Sequence, residues 1–185
     1  MITLGVVADS HIPDRMRALP AGVFEALDGA DAILHAGDVC TDRVLRALER
    51  VAPVYAVRGN RDFGLGLPLD RLLTFEGVRL GLTHGHGSWW DYLREKALYF
   101  TVGFQTSRYL RQVQARFTGV QAIVFGHSHR PINRLQAGVL LFNPGSLAPD
   151  YRPPHHGPAI GRLVIDGDSV RGEILLLALA QAKHA

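Results

Sequence analysis

Cysteine is nearly absent from this 185-residue sequence: Cys40 stands alone, so no intramolecular disulfide can form. The thiol follows Gly37-Asp38-Val39, but a small buried hydrophobe is its expected role. Lysine is almost as scarce. Of 20 basic residues only Lys96 and Lys183 are lysine, and the net charge of +3 comes without the patterned stripe of a nucleic-acid-binding surface. No apolar run approaches the ~18 residues of a membrane span. The first run, Ile2 to Ala8, is also too short for a secretion signal and ends in Asp9. The expectation is a cytoplasmic protein that engages no membrane. No stretch has a disordered composition, and 47% hydrophobic residues suffice for a sizeable core. The length suits one domain over residues 1–185.

Against these absences stands a histidine-rich stretch, Phe125-Gly126-His127-Ser128-His129. It follows an apolar run, Val120 to Phe125, with the character of a buried strand. Gly126 opens the loop with freedom of backbone angle, so both imidazoles can turn toward one point. Neutral imidazole suits Mn, Fe, Ni, Cu and Zn. Taken alone, the stretch reads equally well as a loop with two solvated histidines.

The same arrangement recurs along the chain. Ile2 to Ala8 is a β-branched strand candidate that stops at Asp9-Ser10-His11, where Pro13 discourages a continued ladder. Pro20 to Leu27 has the spacing of a short helix. Ala32-Ile33-Leu34-His35 leads to Gly37-Asp38. Asp42 to Arg50 reads as an amphipathic helix with Val44, Leu45 and Leu48 on one face and Thr41 as N-cap. Val54 to Val57 runs into Gly59-Asn60-Arg61-Asp62. Residues 72–75 and 78–83 form a hairpin pattern across Glu76-Gly77, ending at His84-Gly85-His86. Three more strand candidates, 139–142, 160–165 and 170–177, close the chain, the last two joined by the turn signal Asp166-Gly167-Asp168.

Asp9/His11, Asp38, Asn60, His84 and His127/His129 thus each follow a strand-like run. Ligands of α/β sheets gather beyond the carboxyl ends of strands. Five loops delivering two Asp, one Asn and four His to one edge exceed the needs of one transition metal, which takes three or four protein ligands. The set suits two cations sharing a carboxylate, an arrangement that acidifies water and clamps an in-line displacement at phosphorus. Oxygen and imidazole donors without thiolate favour Mn, Fe, Zn or Ni.

In this order, Asp9-Ser10-His11, Gly37-Asp38, Gly59-Asn60, His84 and Gly126-His127-Ser128-His129 resemble the calcineurin-like metallophosphoesterases. The length and the Asn143-Pro144-Gly145-Ser146 turn resemble the small bacterial and archaeal phosphodiesterase branch, the YfcE-like group; the match covers residues 1–87 and 119–177. The resemblance implies an α/β fold of two packed β-sheets flanked by helices. It implies that Asp9, His11, Asp38 and His129 hold one ion, that Asp38 bridges to a second held by Asn60, His84 and His127, and that a bridging hydroxide attacks phosphorus. Two divalent transition-metal ions, Mn foremost, are the implied cofactors, and a phosphate ester, above all a diester, the implied substrate. Nucleic acid enters only as one such substrate.

Many relatives carry histidine directly after the metal-binding asparagine; here Arg61 stands there. Arginine cannot shuttle a proton but can neutralise phosphoryl charge. Asp62 is a candidate partner behind the ligands or a proton donor, with a plain surface Arg61–Asp62 pair as the alternative. His86 is a candidate substrate contact at the mouth or a loop histidine. His35, within a strand, reads as a core residue or a partner of a ligand. His155 and His156 read as exposed, and Asn143 and Ser146 as bordering the site or capping a turn.

Residues 88–118 form an aromatic-rich insertion expected to be helical, with Ser88 and Asp91 as a shortened capping box and a break near Gly103. Eight of the chain's aromatic residues fall there: Trp89, Trp90, Tyr92, Tyr99, Phe100, Phe104, Tyr109 and Phe117. Core packing, a homo-oligomer interface and a lid are the three readings. A non-catalytic protein-binding scaffold on the same fold is the alternative to an enzyme.

Overall fold

Ile2–Val7 (β1), Ala32–His35 (β2) and Val54–Ala56 (β3) are mutually parallel strands of a five-stranded sheet. Ala159–Asp166 (β9) and Ser169–Leu176 (β10) complete it as an antiparallel hairpin in the order β10-β9-β1-β2-β3. The second sheet has the order β4-β5-β6-β8-β7, built from Asp70–Phe75 (β4), Val78–Thr83 (β5), Ala122–Val124 (β6), Ile132–Gln136 (β7) and Val139–Asn143 (β8). Helices Ala21–Leu27 (α1), Asp42–Leu48 (α2), Trp89–Val102 (α3) and Thr106–Gln114 (α4) complete the element set. The computed structural model describes residues 1–103, 105–149 and 157–177, without the side chains of 89, 91, 95, 99, 100 and 102. His155, His156, Phe104, the tail from 178 and the proposed Ser88–Asp91 capping contact lie outside the described residues.

Strand alternation builds the layers. Leu4, Val6, Leu34 and Leu163 of the first sheet and Leu80, Leu82, Val124 and Phe142 of the second form one buried cluster between the sheets. The opposite faces are covered too. Val7 and Ile33 pack with Val23 and Leu27 of α1 and Val44 and Leu48 of α2. Ile123, Phe125 and Leu141 pack with Tyr109, Leu110 and Val113 of α4. Central strands buried on both sides read as continuous apolar runs, which is why they are legible. Gly5 admits this packing, because a Cβ there would collide with Leu27 of α1.

Two local expectations change. Thr41 occupies the N-cap of α2, but its hydroxyl makes no capping bond; the exposed Asp42–Arg46 pair, at 2.9 Å, is the interaction that helix does carry. β7 has no counterpart in the sequence reading. It is an edge strand whose Asn133, Arg134 and Leu135 are exposed, so it lacks the buried alternation that marks the others. The insertion does break at Gly103 (φ 73°) between α3 and α4.

Candidate metal centre

β1, β2 and β3 run parallel, as do β5 and β6, so the loops after them open on one edge of the sandwich. Backbone hydrogen bonds lock those loops together: Asp9 N–H donates to Gly37 O and His11 N–H to Asp38 O, both at 3.0 Å. Six non-glycine residues there have left-handed backbones, Asp9, His11, Asp38, Cys40, His127 and His129, with φ from 46° to 67°. L-residues adopt this region at a cost, and only over-determined surroundings sustain it. The expected role of Gly126 also shifts. Its φ is not left-handed; a Cβ there would lie 2.8 Å from Ala36 O and 2.9 Å from Asp9 Oδ2, so the glycine serves close approach.

All seven expected donors meet. Asp9 Oδ1 lies 3.3 Å from His129 Nε2 and 3.8 Å from His11 Nε2, and the two imidazole nitrogens are 3.2 Å apart. Asp38 reaches both ways: Oδ2 is 3.6 Å from His11 Nε2 and Oδ1 is 3.6 Å from His84 Nε2. Asn60 Oδ1 lies 3.1 Å from His84 Nε2 and 3.0 Å from His127 Nδ1. Among the described residues, Asp9, His11 and His129, and likewise Asp9, Asp38 and His84, offer donor atoms within 4.8 Å of one another.

The chemistry of this donor set fits cations. Asp9 Oδ1 is buried and accepts no hydrogen bond, a costly state for a carboxylate oxygen without a positive partner. His84 Nδ1 lies 2.7 Å from Ala36 O, an acceptor, so this nitrogen is the donor. Its Nε2 faces the oxygens of Asn60 and Asp38, and a cation seated between them would take the lone pairs of all three. Lone pairs facing lone pairs are stable only around positive charge. Burial pushes the His11 and His127 imidazoles down to about 3, keeping them as neutral donors. Burial raises the Asp38 carboxyl, with His84 opposing. At Asp9 burial acts upward but the adjacent His129 contributes to a net value below the usual carboxylate range.

The remaining candidates separate. Arg61 donates its backbone N–H to Asp38 Oδ1 at 2.8 Å, while its half-exposed guanidinium faces Asp14 at 3.7 Å. Asp62 turns inward. It is buried and accepts the N–H groups of Cys40 and Gly59, each at 2.7 Å, clipping two ligand loops together. The surface Arg61–Asp62 pair is therefore not what forms. His86 is buried with an unpartnered Nδ1, its ring 5.3 Å from that of His84, and burial pushes it down to about 3. His35 Nε2 contacts Ser10 Oγ at 3.1 Å, behind the ligands. Cys40 is only partly buried, with Sγ 3.9 Å from His11 Nδ1; burial and then Asp38 push its thiol up to about 12.

Asn143 fills both of its expected roles: Oδ1 accepts from Gly145 N–H at 2.9 Å, and Nδ2 donates to Gly126 O at 2.8 Å. Two contacts of the site were not expected from the sequence. Tyr109 of α4 donates its hydroxyl to Gly126 O at 3.0 Å, joining the insertion to the histidine loop. Arg15 places Nη1 3.4 Å from His129 Nδ1. Tyr109 lies on a helix and Arg15 eight residues past β1, so immediate strand-end position offered no signal for them. The insertion also walls His127: the rings of Tyr92 and Tyr109 lie 6.1 and 6.2 Å from it.

This is the architecture of the metallophosphoesterase sandwich. Residues 2–165 match the family model for the calcineurin-like phosphoesterase superfamily domain, and the chain belongs to that superfamily. A probable metallophosphoesterase of Methanothermobacter thermautotrophicus is 36% identical over 174 residues, covering 93% of this chain and 91% of that protein. Among solved structures, wild-type Vps29 of Entamoeba histolytica complexed with zinc is similar at TM-score 0.72 and 22% identity, covering 94% of this chain and 98% of that one. A novel archaeal phosphodiesterase is similar at TM-score 0.64 and 19% identity, over 94% and 100% of the two chains. At these identities the structures speak for the fold. No helix of the described residues is long and apolar enough to cross a membrane.

Proposed function

We propose that the chain is a dinuclear metal-dependent phosphodiesterase, acting as a single cytoplasmic domain. The observation that carries this reading is Asp38, whose two oxygens face imidazoles of different loops, His11 and His84. Asp9, His11, His129 and Asp38 would hold one ion, and Asp38, Asn60, His84 and His127 the other. When bound, the pair supplies Lewis acidity that activates water and draws charge from the phosphoryl oxygens. The protein's own work is orientation. Ala36 O fixes the His84 ring, Asp62 clips the Asp38 and Asn60 loops, and Tyr92, Tyr109 and His86 screen His127 from water. The seven donors are oxygen and imidazole, which suit Mn first, with Fe, Zn or Ni as alternatives; zinc is the ion of the Entamoeba relative.

Arg61 at the rim cannot donate a proton, and Asp62 is committed to two amides, so leaving groups that depart without protonation are the best substrates. His86 contacts the substrate at the second-ion side. The phosphodiesterase among the structural relatives supports the diester preference. The Vps29 likeness supports a scaffold as the second reading; Trp90, 78% exposed on α3, is where a homo-oligomer contact would rest. The test is hydrolysis of a chromogenic aryl diester and its matching monoester by metal-stripped protein with Mn²⁺ restored. Metal-dependent cleavage with the diester faster is expected. Monoester preference would refute the diesterase, and no turnover with ions bound would favour the scaffold.

A further inference from the structure

Arg15 is a cation with no task in the proposed two-ion chemistry. It lies four residues past His11, and its backbone N–H donates to the His11 carbonyl at 2.8 Å. Its side chain is half-buried beside the first donor group, with Nη1 3.4 Å from His129 Nδ1. Among the described residues no carboxylate pairs with it. The neighbouring Asp14 faces Arg61 instead. Arg61 has an acid beside it, and Arg15 has none among the described residues. Arginine is seldom taken out of water without such a partner.

The contact with His129 has a chemical limit. A guanidinium has donors only, so Nδ1 of His129 accepts, and a neutral imidazole then carries its one proton at Nε2. Yet Nε2 is the nitrogen that faces His11 Nε2 and Asp9 Oδ1 at 3.2 and 3.3 Å, and holding a cation there requires its lone pair. The loaded centre therefore needs the proton at Nδ1, where Arg15 can no longer donate. The guanidinium would then lack this acceptor while lying one imidazole ring away from the donor atoms.

We propose that Arg15 binds a non-bridging oxygen of the substrate's phosphoryl group, as a third positive charge beside the two ions. The ligand is a tetrahedral phosphorus oxyanion, supplied by the ester or by inorganic phosphate. The planar fork of arginine matches two such oxygens at once. This inference takes its ligand from the phosphoesterase reading, but its test needs no turnover.

Calorimetry would follow Mn²⁺ binding to the wild-type, R15Q and R15K proteins, then inorganic phosphate binding to each Mn²⁺-loaded protein. The expected result is unchanged Mn²⁺ binding in both variants. Phosphate binding should weaken about 10- to 100-fold in R15Q, the loss of a charge-assisted hydrogen bond, and by less in R15K, which keeps the charge without the fork. With the aryl diester, R15Q should raise KM more than it lowers kcat. Phosphate binding equal to wild type in R15Q would overturn the proposal, as would loss of Mn²⁺ from that variant. Arg15-dependent phosphate binding in a protein that hydrolyses no ester would support it while refuting the proposed activity.

Discussion

Asp62 and Arg61 are adjacent in the chain and do opposite things. Asp62 accepts two buried backbone N–H groups, whereas Arg61 reaches a solvated Asp14. Asp62→Asn replaces one accepting oxygen with a donor and leaves a buried amide facing it, at a cost of about 1–3 kcal/mol. A fall in Tm of roughly 3–10 °C is expected by calorimetry, together with weaker Mn²⁺ binding. Arg61→Ala should shift Tm by no more than about 2 °C, since exposed pairs contribute little. A reversed order would contradict the assignment of Asp62 as the clip. The residue types and their strand-end positions made legible the seven side chains that meet at one edge of the sandwich. The partner of Asp62 was not, because a carboxylate's choice between a neighbouring guanidinium and distant amides depends on how loops 38–40 and 59–62 stack.

At the scale of elements, the donor loops are closed by glycines that leave no room for a side chain. Gly126→Ala would press a Cβ against Ala36 O and Asp9 Oδ2. Lower Tm and at least about tenfold weaker Mn²⁺ binding are expected, because a displaced loop carries both His127 and His129 with it. Gly64→Ala is the control: it lies in the open 61–68 loop with nothing near its Cβ, but its φ of 78° adds local strain, so Tm can drop slightly while Mn²⁺ binding stays intact. Tyr109→Phe keeps the core contacts of α4 and removes one hydroxyl from Gly126 O, with about 1 kcal/mol lost in thermal unfolding. The strands buried on both faces announced themselves through unbroken apolar runs. β7 did not, since an edge strand with exposed Asn133 and Arg134 carries little of that signal. The aromatic insertion was legible as helix, and α4 serves the core through Tyr109, Leu110 and Val113.

Across the whole molecule, the dry cluster makes stability depend on pH. Burial holds His35 at about 4 and His11, His86 and His127 at about 3, against 6.5 when unfolded. Between those values and 6.5 the unfolded chain binds more protons, so stability is full above pH 6.5 and is lost as pH falls below it. The metal-free protein should show a Tm that is flat from pH 7 to 8 and falls by at least about 5 °C by pH 5. Bound Mn²⁺ should offset part of that fall by holding the imidazoles neutral. A pH-independent Tm would contradict neutral burial of these rings. The two-sheet architecture and the shared edge of the donor loops were legible from the order of strands and ligands. The depth of burial was not, because it arises from the meeting of two sheets. Whether two cations share Asp38 is decided by counting Mn²⁺ bound per chain in wild type and Asp38→Ala, with the electron paramagnetic resonance spectrum of each. About two equivalents with the spectrum of a coupled pair are expected in wild type, and weaker, uncoupled binding in the variant. A single equivalent in wild type, or a coupled pair that survives without Asp38, would contradict that sharing.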